Sequence, residues 1–137
     1  MITLEQYFGP WWSHPDHKPW ISENAHKLLD ACASLEKEMV ADAVVFPENP
    51  ITGNGVSGEH NGGFRTQSCP IGASHSAHKE GMAVDRYDPS GSIDAWLIAH
   101  PDALDRHGIY IEHPSATFKW SHWSIRAPGS GNHIFYP

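Results

Sequence analysis

One stretch limits the possible folds more than any other. Residues 23–41 place apolar side chains at Ala25, Leu28, Leu29, Cys32, Leu35, Met39 and Val40, in steps of three and four, while Glu23, Lys27, Asp30, Glu36, Lys37 and Glu38 occupy other faces. That spacing returns to one side of an α-helix at every turn and predicts a helix with a single buried stripe, capped by Ser22. Cys32 lies on the stripe and is read as packing, not as a nucleophile. A helix of this length must be covered by a second layer, and the rest of the 137-residue chain has to supply it. The length suits one core and not two, so residues 1–137 are read as a single domain, with a helical N-terminal part at 1–53.

The remaining elements follow in order. Thr3 and Gln6 form a capping-box pair for a short first helix that Gly9-Pro10 stops. Trp11, Trp12 and Trp20 lie in an irregular segment and are expected to cover the core. Ala43 to Phe46 suggests a strand or turn, and Val56-Ser57-Gly58 with Gly62-Gly63-Phe64-Arg65 the edges of another strand. Met82 to Tyr87 is a strand candidate with Ala83, Asp85 and Tyr87 on one face and Met82, Val84 and Arg86 on the other. After the turn Asp88-Pro89-Ser90-Gly91, Ser92 is placed to cap a helix to about His100, and a further helical turn or two ends at Gly108. The last third, with Ile109–His113 and Trp120–Arg126, reads as antiparallel β. The class is α+β: a mostly antiparallel sheet against one long and one shorter helix.

Several functions are disfavoured by composition. Lys and Arg number 9 against 16 Asp and Glu, a formal charge of −7 with no local basic run, which argues against nucleic acid or an anionic membrane as partner. No window approaches the roughly 18 apolar residues of a membrane helix, and the first residues lack the charged and apolar regions of an export signal. Two cysteines without a CxxC exclude a sulfur-rich zinc site or disulfide scaffold and suit a reducing compartment. The 11 histidines raise the expectation of a metal site without locating it.

Ser76-Ala77-His78-Lys79-Glu80-Gly81-Met82-Ala83-Val84-Asp85 is where it could be. An imidazole and a carboxylate flank a glycine, as a loop followed by a strand would present two ligands to one point. A hydrolytic site needs about three protein ligands and an open position. In Trp120-Ser121-His122-Trp123-Ser124-Ile125-Arg126, alternation puts Trp123 and Ile125 on one face and His122 on the other, so His122 is the candidate third ligand. By spacing alone, His78 and His122 are equally compatible with ordinary polar residues.

Ser76-x-His78-x-x-Gly81-x-Ala83-x-Asp85 resembles the SxHxxGxAxD signature of the zinc D-Ala-D-Ala carboxypeptidase and L,D/D,D-endopeptidase group, peptidase family M15, with its hedgehog-like fold. Gly63-Phe64-Arg65 upstream, Trp120-Ser121-His122 downstream and the ending Ala127 to Pro137 resemble further elements of short phage and prophage members, so the likeness spans residues 54–137. The resemblance implies a zinc ion held by His78, Asp85 and His122. It implies Arg65 orienting a substrate carboxylate or carbonyl, and Ser76 and Trp120 shaping the substrate pocket. It further implies a peptidoglycan stem peptide as substrate and an endolysin acting as a monomer. Such a protein stays in the host cytoplasm and reaches the periplasmic wall through a pore made by a separate partner.

Two positions depart from that pattern. Where many members carry a carboxylate three residues before the last ligand this chain has Lys119, and where others have Asp two residues after it this chain has Ser124. The candidate general base is Glu112, which turns to the side of His122 if Ile109-Tyr110-Ile111-Glu112 pairs with the His122 strand; a solvent-facing glutamate is the other reading. Two alternatives accompany the endopeptidase: a D-alanyl-D-alanine carboxypeptidase or dipeptidase, and a zinc-binding virion module without catalysis.

Overall fold

A computed structural model describes residues 1–52 and 60–137, so the expected strand edge at Val56-Ser57-Gly58 lies outside the described residues. The fold is α+β, with four α-helices among the described residues and a four-stranded mixed sheet. Helix α1 is Leu4–Phe8, α2 Pro19–Ala41, α3 Ser92–Ala99 and α4 Pro101–His107. The strands are β1 Ala83–Tyr87, β2 Tyr110–Glu112, β3 Trp120–Ser124 and β4 Ile134–Phe135, in the spatial order β1-β3-β2-β4. No helix among the described residues is long and apolar enough to cross a membrane.

The amphipathic stripe is buried as its spacing requires except at its last position, Val40, which is 55% exposed near the helix end. Ile21, Ala25, Leu28, Leu29, Cys32, Leu35 and Met39 are buried, and each leucine removed from water contributes about 1.5–3 kcal/mol. The helix begins earlier than Ser22, on Pro19, whose missing N–H costs nothing in a first turn. That start leaves Trp20 off the buried stripe and 52% exposed, and Trp12 is 45% exposed, so neither covers the core as expected. Trp11 does pack against it. The capping box of Thr3 and Gln6 forms as read.

Ala43 to Phe46 is not a strand. Ala43 sits at φ 65° just past α2, donating to Val40 O while Val44 donates to Met39 O, which closes the helix in a Schellman arrangement normally given to glycine. Gly62 to Thr66 is not a strand either, because its backbone bonds go to three places: Gly62 O accepts from Asp85 N, Phe64 N donates to Tyr7 O and Arg65 N to His78 O. At α3 the cap is Asp88 and not Ser92, since its carboxylate accepts from Ile93 N (3.1 Å) and Asp94 N (3.0 Å).

Sheet β1-β3-β2 is antiparallel, but β4 pairs with β2 in parallel, Ile111 opposite Ile134 and Glu112 opposite Phe135. The expectation of an antiparallel final third is corrected here: the chain returns from β3 through Pro128–Gly131 to the far edge of β2 and enters it in the same direction. On β1 the predicted alternation holds. Val84 and Arg86 face the helical layer, where buried Arg86 meets Glu36 of α2 at 3.2 Å and lies between the Phe46 and Trp123 rings. Asp85 is left facing the opposite side.

Candidate metal centre

Each member of the cluster is delivered by a separate local device. His78 rides on the 3-10 turn Ala77–Glu80, which Ser76 caps by accepting from His78 N. Gly81 ends that turn at φ 74°, with Ile21 O so near that a Cβ would lie 2.6 Å from it, and the chain then enters β1. Asp85 is opposite His122 in the β1–β3 register, so the two side chains share a face. Phe64 is fully buried against Phe8, which anchors the extended segment and directs Arg65 toward Asp85. Gly63 must approach Tyr7 so closely that a Cβ would be 2.2 Å from its carbonyl oxygen, and the carbonyl of Gly63 is the one that receives His78.

The ligand atoms of His78, Asp85 and His122 lie within 4.8 Å of one another, all three residues buried, and this group could hold a metal ion. His78 Nε2 is 3.2 Å and His122 Nδ1 2.9 Å from the same Asp85 Oδ1. Ligands about 2.0–2.1 Å from a tetrahedral zinc stand roughly 3.3 Å apart, close to these separations. The tautomer of His78 strengthens the fit. Its Nδ1 is 2.8 Å from the carbonyl of Gly63, which can only accept, so Nδ1 carries a proton and Nε2 is the nitrogen left to ligate when the ring is neutral. In the neutral ring two acceptors at that distance repel unless a positive charge lies between them, and either a proton on Nε2 or a metal ion in its place supplies it.

Electrostatics follow the same geometry. Burial pushes the His78 imidazole below its usual range against the pull of Asp85, a shift that favours the neutral form a metal requires. Burial alone would raise Asp85, but His78 and His122 hold its carboxyl well below the usual carboxylate range. His122 is raised, since the hydrogen bond and charge of Asp85 outweigh burial. Arg65 adds a guanidinium contact, Nη2 donating to Asp85 Oδ2 at 3.1 Å, while its Nε donates to Asn61 O and Nη1 to Ile71 O. Three of its five N–H donors thus brace the aspartate and the loop around it.

The cluster opens into a cavity of about 720 Å³ whose wall includes Arg65, Ser76, Glu112, Trp120, Ser124 and Phe135. One step along the β2–β3 register from Ile111 and Trp123 brings Glu112 opposite His122. Half-burial pushes the Glu112 carboxyl up, His122 and Arg65 pull it down, and Asp85 adds to the rise. Lys119 does not border this cavity; it stands at φ 68° beside Phe118 and Asp94 around a separate recess. Ser124 does border it, but its hydroxyl donates to Arg126 O and accepts from Arg126 N. Among the described residues, Glu112 is therefore the carboxylate that the cavity wall supplies in addition to Asp85.

Arg126 and Phe135 also reach this wall, and neither was singled out from the sequence. The strand alternation already put Arg126 on the side of His122, a usable signal, whereas Phe135 depends on a parallel pairing that nothing local announces. Arg126 Nη1 donates to Glu80 Oε2 at 3.1 Å, tying the end of β3 to the His78 turn. Compared with known proteins, the chain matches no family model, no curated protein and no solved structure.

Proposed function

We propose that this chain is a zinc-dependent metallopeptidase that hydrolyses an amide bond in peptidoglycan stem peptides, with the architecture of the hedgehog/D,D-peptidase group. The observation that carries the reading is the convergence of His78 Nε2 and His122 Nδ1 on one oxygen of buried Asp85, in the wall of a cavity that also holds a second carboxylate. Two imidazoles and one carboxylate are a donor set that suits zinc and leaves a position open, the requirement for a hydrolytic site. The motif resemblance supplies the substrate class.

When bound, zinc would polarise the scissile carbonyl and lower the pKa of water. The chain's own residues do the rest. Arg65 keeps Asp85 ionised and oriented, and Gly63 O fixes the His78 tautomer. Glu112 takes a proton from the attacking water on its carboxylate and returns it to the departing amide nitrogen, a role favoured by a carboxyl raised toward neutrality. Ser76 and Trp120 shape the cleft. We further propose that the protein works as a monomer on the bacterial wall.

The test is metal analysis of the purified protein, followed by digestion of intact Gram-negative sacculi and of a short synthetic stem peptide, with products identified by mass. About one zinc per chain and internal cleavage of the stem support the proposal. Release of terminal alanine alone would replace it with a carboxypeptidase, and bound zinc with neither product would replace it with a non-catalytic module.

A further inference from the structure

The register of the sheet lines up one residue from every strand. Asp85 of β1 is opposite His122 of β3, the same register brings Glu112 of β2 opposite His122, and Glu112 is opposite Phe135 of β4. Residues directly across neighbouring strands share a face, so these four form a row running across the sheet, about 14 Å long at 4.7–4.9 Å per strand. The row begins in the charged cluster and ends in an aromatic ring.

That ring does not merely trail at an edge. Phe135 is half-buried, borders the cavity, and meets His122 edge-on with ring centroids 6.4 Å apart at 88°. Rings in that edge-on contact leave no room for a substrate group between them, so one must lie along the open side of Phe135. The tail that carries it is well anchored: Ile111 N donates to His133 O (2.7 Å) and His113 N to Phe135 O (2.8 Å), and Tyr110 stacks on His133 and His113 on Tyr136, with centroids 4.3 and 4.5 Å apart. Arg65, Asp85, Glu112 and His122 make the cluster end of the cleft polar, so an apolar wall one strand beyond Glu112 is positioned to sort substrates by side chain.

We propose that Phe135 is a specificity-determining residue, forming an apolar subsite for the side chain of the residue adjoining the scissile amide. This rests on the metallopeptidase reading for its reaction. It gives the C-terminal strand a direct part in recognition.

The experiment uses zinc-loaded full chain and two probes, the hydroxamic acids of N-acetylglycine and of N-acetylalanine in both enantiomers, with affinity measured by calorimetry and zinc content checked in each variant. Burying one methyl on Phe135 should favour the better alanine enantiomer over glycine about fourfold in the wild type. Phe135→Ala should bring that ratio close to one, Phe135→Leu should restore most of it, and Tyr136→Ala, which alters the same tail but not the cavity wall, should leave it at the wild-type value. The proposal is overturned if the wild type shows no preference, if Phe135→Ala keeps it, or if Tyr136→Ala abolishes it equally. A wild type that discriminates between the probes but cleaves no wall peptide would sink the peptidase reading and leave the subsite standing.

Discussion

Replacing Asp85 by Asn tests whether one carboxylate organises the cluster. The side chain is 5% exposed and contacts Arg65 Nη2 at 3.1 Å, His122 Nδ1 at 2.9 Å and His78 Nε2 at 3.2 Å. Removing one partner of a buried ion pair typically costs about 3–5 kcal/mol, because the remaining charge stays buried and uncompensated. Here Arg65 borders a cavity that water can enter and an amide oxygen can still accept its N–H, so the cost should fall near the lower limit, about 3 kcal/mol in metal-free protein at pH 7. The sign of its pH dependence is set by the depressed carboxyl. A folded-state pKa below the unfolded one stabilises above the unfolded value, near 4, and that stability is lost as the pH falls through the folded value. Urea unfolding of both proteins in excess chelator should therefore show a gap that is full at pH 7 and narrows below about pH 4. Calorimetric zinc titration should show affinity reduced by more than about 100-fold, since a ligand is lost and not merely its support. Equal stability at pH 7, a gap independent of pH, or wild-type zinc affinity would refute the reasoning.

Other perturbations address separate links. Glu112→Gln should lower peptide hydrolysis by about 100-fold or more while zinc content stays the same, because only proton transfer is removed; undiminished turnover would exclude Glu112 as base. Ala43→Gly should stabilise by about 1 kcal/mol, since Ala43 holds φ 65° at a helix end where glycine carries no Cβ penalty, and thermal unfolding should shift up by about 3 °C. Asp94 is pushed up to about 6 by burial, despite hydrogen bonds from Ser121 and Thr117, so folding favours its protonated form. Stability should fall by on the order of 1–2 kcal/mol as pH rises from 4 to 7, the neighbouring recess letting water reduce the effect, and Asp94→Asn should flatten the wild-type curve in that window.

Much of this architecture was readable locally. The stripe from Ala25 to Met39, the Thr3–Gln6 capping box and the alternation in β1 and β3 depend on side chains a few residues apart, and the structure keeps all of them. Boundaries suffered where a neighbouring residue offered a better solution: Pro19 displaced Ser22 at the start of α2, and Asp88 displaced Ser92 as the cap of α3. Gly62 to Arg65 looked like a strand because it is extended, but its donors and acceptors are taken by α1, the His78 turn and β1, and no ladder forms.

For the site, sequence alone determined the candidates and the faces they share: His78 and Asp85 either side of a turn glycine, His122 alternating away from Trp123, and Glu112 alternating away from Ile111. These are consequences of the two-residue period of a strand and the short reach of a turn. What only tertiary structure decided was which atoms meet. The β1–β3 register set Asp85 against His122, Gly63 O selected the His78 tautomer, Arg65 closed on the far oxygen of Asp85, and the parallel entry of β4 delivered Phe135 beside Glu112. Such choices turn on loop closure and on where the last unpaired strand edge lies, both properties of the whole chain. A local pattern can say which way a residue points, but only the assembled sheet says what it points at.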